Sequence, residues 1–228
     1  MWKAILSPDF FSTILRSATP ILFATLASAI AAKSGICNMA LEGIMLFSAL
    51  FGVIFSSLTH SAWLGLLITM VIGGLIGMIL AFFILNLKTD EILAAIAINL
   101  TATGGTVLIM VAFSGDRGVS SSIRSVSAPT VTLPLIEKIP FIGSVLSGQN
   151  ILTWLAILAV ILLHLFLYKT PLGLAIRAVG ENKNAAESVG ISSRKIKYIA
   201  LIISGVLASM GGFYLSGGYM NMFTKDMS

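Results

Sequence analysis

The chain has 228 residues, 57% of them hydrophobic and 10% charged, with a mean hydropathy of +1.01; in a soluble domain about a quarter of residues carry charge. That balance excludes a water-soluble enzyme, a disordered tail and a nucleic-acid-binding domain, and it implies an all-α integral membrane protein, a polytopic helical bundle. With 14 Lys+Arg against 9 Asp+Glu, the basic excess reads as a topology signal. The single cysteine, Cys37, permits no internal disulfide and no Cys-rich metal framework, and is expected to be a small apolar core residue.

At the N-terminus only Lys3 precedes Pro8 and Asp9, a poor match to a signal peptide. Residues 7–16 read as a short interfacial helix, with Pro8 early, Asp9 in the first turn, and Phe10, Phe11, Ile14 and Leu15 available to lipid. A bilayer core needs about twenty apolar residues per helix, and six stretches qualify: 13–32, 36–58, 62–87, 92–113, 151–168 and 198–219. Trp63, Trp154, Tyr168 and Tyr198 fall at their ends, where interface aromatics belong. Small residues four apart recur at Gly73 and Gly77, Gly205 and Ser209, and Ala208 and Gly212, and predict close helix packing. No internal repeat of the inverted-transporter kind is visible.

Two connections are long. The link 114–150 carries Gly115, Asp116, Arg117 and Gly118, a Ser-rich run, and Pro129, Pro134 and Pro140, and reads as a turn-rich extramembrane excursion. The link 169–197 holds Lys169, Arg177, Lys183, Arg194, Lys195 and Lys197 against Glu181 and Glu187, which assigns it to the cytoplasm. Alternation then places Lys33 and Lys88 inside, and the N-terminus and the 114–150 loop outside, together with Lys3, Arg16, Arg117, Arg124, Lys138 and Lys225.

No Gly-Lys dipeptide occurs, so a phosphate-cradling P-loop is ruled out in this chain. His60 and His164 form no zinc pattern and Gly-x-Ser-x-Gly is missing, so neither a cofactor nor a metal is expected. His164, near a membrane face, reads as a hydrogen-bonded structural residue. Polar residues at depth are costly and face a pathway or a partner. Asn38 and Glu42 form one such group with Ser48; Glu42 either pairs with Lys33 or faces the path. Asn99 and Thr101 form the second, with Thr103, Gly104, Gly105 and Thr106, and this stretch is read either as a helix break lining a cavity or as packing. Asn38, Glu42, Asn99 and Thr101 are therefore the candidate translocation-path residues.

Within the basic link, Gly173 and Gly180 bracket a helical piece, and Asn184 is placed to cap a second one with Glu187 at its third position and Gly190 as the left-handed stop. Such a pair is too small to fold alone, and reads as either a docking element or an ordinary solvated loop. Here the sequence resembles the permease subunits of ATP-binding-cassette importers that serve simple sugars, nucleosides and branched-chain amino acids. The pattern is carried by Gly173, Ala178, Gly180, Glu181, Asn182, Ala185, Ala186, Gly190 and Ile191. The stretches 38–45, 88–93 with Asn99, and 204–212 extend it over nearly the whole chain, most like the nucleoside branch.

The resemblance implies one transmembrane permease domain over 1–228, with the 169–197 loop as the coupling element for ATPase subunits. It also implies a second permease subunit, with the solute path between the two, an extracytoplasmic solute-binding lipoprotein, and a bacterial-type inner membrane as the location. Family members continue with further spans beyond the region matching 219–228, so a C-terminal truncation is expected. Two competing classes are an ion-coupled secondary transporter, for which Glu42 and His164 are the available relays, and a membrane scaffold without transport.

Overall fold

A computed structural model describes residues 8–115, 120, 125–131, 147–220 and 222–224. Helix α1 spans Pro8–Lys33, α2 Leu41–Thr59, α3 Ala62–Leu85 and α4 Glu91–Ser114. Two short antiparallel strands, β1 (Thr130–Val131) and β2 (Gln149–Asn150), pair Thr130 with Asn150. They lead into α5 (Ile151–Lys169), α6 (Pro171–Glu181), α7 (Lys183–Ser188) and α8 (Ser193–Phe213), which continues into a π-helical turn, Tyr214–Tyr219. Side-chain caps open α4 to α7, whereas α2, α3 and α8 start without one. Asp90 caps α4 by accepting from the Ile92 and Leu93 amides. Asn150 caps α5 through the Leu152 amide.

Among the described residues six helices are long and apolar enough to cross a membrane, matching the six expected spans. Two boundaries differ in an informative way. The interfacial helix expected at 7–16 is not a separate element: α1 runs unbroken from Pro8 through Pro20 to Lys33. Pro8 sits in the first turn, where its missing N–H costs nothing. The second span was expected to be helical from residue 36, but helix begins only at Leu41, and residues 36–40 are non-helical.

The bundle is organised around α2 and α8. In the most apolar window of each span, 67% of residues are buried for α8 with its π-turn and 61% for α2, against 28% for α4 and for α5, so the former pair is central and the latter peripheral. The small-residue stripes of α3 and α8 turn out to be one antiparallel crossing. A Cβ on Gly73 would overlap the Gly205 carbonyl and Ser209, and one on Gly77 the Leu201 carbonyl. Backbone therefore packs on backbone, the arrangement membrane helices use when lipid supplies no hydrophobic drive between them.

The two ends of the bundle are distinct. At one, Asn86 Oδ1 accepts from the Tyr198 hydroxyl at 2.9 Å and from Arg194, and α6 lies against the end of α1 at Lys33. The Lys33, Lys88 and 169–197 segments thus share an end, as the charge pattern required. At the other, Arg16 Nε donates to Gln149 Oε1 at 3.3 Å, and the hydroxyl oxygens of Thr19 and Thr153 meet at 3.2 Å. There the Ser125 hydroxyl and the Ala128 amide donate to the Ser216 and Gly217 carbonyls, tying the long loop to the π-turn. Ser7, Lys3, Asp116, Arg117, Gly118, Arg124, Pro134, Lys138, Pro140 and Lys225 lie outside the described residues. Two expectations about side chains fail: Cys37 is exposed, not a core residue, and His164 is exposed and stacks its ring 4.8 Å from that of Tyr168.

Candidate functional site

The helix pair after α5 is built by a chain of caps. Thr170 accepts from the Gly173 amide at 3.1 Å and donates to the Phe166 carbonyl at 2.6 Å, folding the chain back at the end of α5 with Pro171 in the first turn of α6. A Cβ on Gly173 would overlap the Phe166 carbonyl, so α6 can turn this tightly only with glycine there. Arg177 lies with its Cζ 4.5 Å from the Tyr168 ring centroid, a cation–π contact that ties α6 to α5.

Capping of the second piece differs from the sequence reading. Asn182, not Asn184, is the cap: its backbone is extended (φ −151°, ψ 100°) and its side chain accepts from the Ala185 amide at 3.0 Å. Because α6 stops at Glu181, Asn182 is the residue free to leave helical geometry. Glu187 is consequently not in a capping box; it pairs with Lys183 at 3.9 Å and accepts from the Ser193 hydroxyl. Gly190 is the left-handed stop as expected (φ +86°), its amide bonding to the Glu187 carbonyl at 3.0 Å, while Ile191 bonds to the Ala186 carbonyl at 3.1 Å.

The motif positions sort into two faces. Gly173 and Ala186 are buried, and Ala178, Gly180 and Ile191 are partly so. Ala186 packs in a cluster with Ile176, Val179, Ile196 and Ala200. Gly180 meets α1 backbone to backbone, since a Cβ there would overlap the Lys33 carbonyl. Glu181, Asn182, Ala185, Glu187 and Gly190 are exposed, as are Lys183, Asn184, Ser188 and Val189, and Val189 is an apolar tip at 74% exposure.

The candidate path residues converge on one feature, the non-helical opening of the second span. Helix α1 ends in a Schellman turn with Gly35 left-handed (φ +76°), Gly35 bonding to the Ala32 carbonyl and Ile36 to the Ala31 carbonyl. Beyond it, side chains from other helices replace the missing helical ladder. The Cys37 amide donates to Glu91 Oε2 at 2.8 Å and the Ala40 amide to Asn38 Oδ1 at 3.0 Å. Asn38 Nδ2 donates to the Ser204 hydroxyl at 2.8 Å, which donates on to the Ala27 carbonyl at 2.7 Å. Asn99 closes the break from α4, donating to the Met39 carbonyl at 3.1 Å and accepting from the Gly43 amide at 2.9 Å. Asn99 sits eight residues into α4, about 12 Å along its axis. Irregular backbone at such depth requires internal partners of this kind.

Asn38 and Asn99 are thus brought together; Glu42 and Thr101 are not joined to them. Glu42 is exposed in the first turn of α2, and the expected pair with Lys33 does not form: among the described residues the ion pair is Lys183–Glu187. The Thr101 hydroxyl bonds back to the Ala97 carbonyl at 2.7 Å. It borders a cavity of about 420 Å³ whose other walls include Phe47, Phe51, Ile76 and Phe83. The helix break considered at Gly104 and Gly105 is absent, since α4 is continuous there; the break lies in the neighbouring span. Sequence reasoning missed Glu91, Ser204 and Gly35. A glycine after Lys33-Ser34, followed by the helix-capping residue Asn38, was the available signal.

The family described as branched-chain amino acid transport system, permease component, matches residues 10–226. The chain belongs to this permease family. Among its relatives are the nucleoside ABC transporter permease protein NupC of Lactococcus lactis, 32% identical over 88% of this chain and 65% of its own length, and the guanosine ABC transporter permease protein NupQ of Bacillus subtilis, 31% identical over 92% and 66%. The glucose ABC transporter permease protein TsgB13 of Haloferax volcanii is 28% identical over 98% of this chain and 61% of its own. The permease chain spans just under two thirds of the length of these relatives. No solved structure matches it.

Proposed function

We propose that the chain is the membrane-spanning subunit of an ATP-binding-cassette importer that moves a nucleoside or simple sugar inward, with α6 and α7 as the element that docks the ATPase. The observation that carries this reading is the two-faced construction of that element. One face is buried against α1, α5 and α8, with Ala186 in the core, so the element is fixed to the bundle; the other exposes Glu181, Asn182, Lys183, Asn184, Ala185, Glu187, Ser188 and the apolar tip Val189. A small apolar tip within a polar rim is the anatomy of a docking contact. The six basic residues of 169–197 favour the cytoplasmic side, in a bacterial-type inner membrane.

In this reading the subunit makes and breaks no covalent bond. It holds two packings that ATP hydrolysis in a partner chain biases, a second permease subunit completes the path, and an extracytoplasmic binding protein presents the solute. Relatives whose names specify nucleoside, guanosine and glucose transport support a polar, uncharged solute. The test is uptake of labelled nucleosides and glucose into cells carrying the intact transporter. Uptake should vanish when the partner ATPase is deleted and persist when the proton gradient is collapsed while ATP is maintained. Uptake that survives loss of the ATPase but stops with the gradient would establish an ion-coupled carrier in its place.

A further inference from the structure

We infer that the opened stretch 34–40 is the moving part through which the docking element acts on the membrane interior, and that Glu91 and Asn99 are positioning residues for it. The inference rests on the proposed function and assigns where the motion goes.

The first argument is contact without cushioning. Gly180 of α6 and Gly35 of the turn face each other with no side chain between them: a Cβ on Gly180 would overlap the Lys33 carbonyl and lie 3.1 Å from the Gly35 amide nitrogen, and a Cβ on Gly35 would lie 3.3 Å from the Gly180 Cα. Packed backbone is stiff, so a displacement of α6 reaches residues 33–35 undiminished. The flexible side chains that would absorb such a push are missing here.

The second argument is that the segment receiving the push is held by exchangeable bonds. Helix α1 transmits through a continuous backbone ladder, but residues 37–40 are fixed by side chains of Glu91, Asn38 and Asn99. A backbone fixed by three side-chain contacts can rebond in a second position without unfolding a helix, which is what a two-state element requires. At its far end the stretch is continuous with α2, one of the two central helices, and Asn99 couples that helix start to α4 through Gly43.

Third, the molecule carries its own reporter. Cys37, the one cysteine of the 228 residues, lies in the opened stretch, is exposed, and has its amide held by Glu91. The intact transporter, with its ATPase and full-length permease, is reconstituted in vesicles with the ATPase side outward and treated with N-ethylmaleimide, with Cys37 modification followed by peptide mass spectrometry. The modification rate should differ between the nucleotide-free and vanadate-trapped states. Removing the Glu91 contact in Glu91→Ala should raise the nucleotide-free rate by about fivefold, the weight of one backbone hydrogen bond, and narrow the difference between states. Glu91→Gln, which keeps an acceptor oxygen, should restore both; a residue needed only for folding would alter yield without altering the nucleotide dependence. Equal Cys37 rates in the two states, in a wild-type complex that shows ATP-dependent uptake, would overturn the inference and leave the functional reading standing. Loss of ATP-dependence in uptake itself would overturn both.

Discussion

Replacing Asn99 by leucine tests whether the break in the second span depends on a side chain from α4. Asn99→Leu keeps the volume and removes both the acceptor for the Gly43 amide, at 2.9 Å, and the donor to the Met39 carbonyl, at 3.1 Å. Each backbone group left without a partner costs about 1–3 kcal/mol, so the pair costs about 2–6 kcal/mol, a large part of the about 5–15 kcal/mol that holds a folded domain together. The assay is the midpoint of thermal aggregation of the solubilised transporter, read beside abundance in the membrane and solute uptake. Asn99→Leu is expected to melt below the wild type, with uptake falling in step with abundance. Asn99→Leu with wild-type abundance and melting but no uptake would refute the reasoning and make Asn99 a solute ligand; wild-type behaviour in all three would make the contacts incidental.

Three further outcomes are expected. Ala186→Arg should abolish membrane abundance, because Ala186 is buried among Ile176, Val179 and Ile196 and overpacking there is compounded by an unpaired buried charge; Ala185→Arg, on the exposed face, should leave abundance unchanged. Val189→Glu should keep abundance but lower solute-stimulated ATPase activity by about tenfold or more, as loss of a docking anchor does. Asn182→Ala should speed hydrogen exchange of the α7 amides by removing a cap of about 1 kcal/mol, whereas Asn184→Ala should not, measured by exchange mass spectrometry.

The spans were legible because hydropathy over about twenty residues is a local property, and all six expected windows overlie helices, three of them with starts shifted by five residues. What was not legible is set by residues remote in sequence. The stretch Ile36-Cys-Asn-Met-Ala40 is compatible with helix on composition; it is held open because Glu91 and Asn99, 54 and 60 residues from the groups they bind, supply partners to its backbone, while Ser204 holds the Asn38 side chain. The fusion of the expected interfacial helix with α1 has the opposite origin, since nothing between Pro8 and Thr13 stops a helix once it starts. The α6–α7 pair was readable as two short helices because caps are local signals, yet its polarity was not: Gly173, Gly180 and Ala186 fit against this chain's own helices, and the exposed residues lie between them.

The same accounting explains why polarity at depth is a poor guide to the solute path. Thr19, Ser48, Thr69, Thr101, Thr106 and Ser209 all donate to carbonyls of their own helices, and Asn38, Asn99 and Ser204 serve backbone in neighbouring segments. A hydroxyl committed in this way has spent its donor and can only accept from a solute, whereas each amide keeps one N–H. Glu42 is different: it is exposed at the start of α2, immediately beyond the opened stretch. Any movement of residues 34–40 therefore carries Glu42 with it.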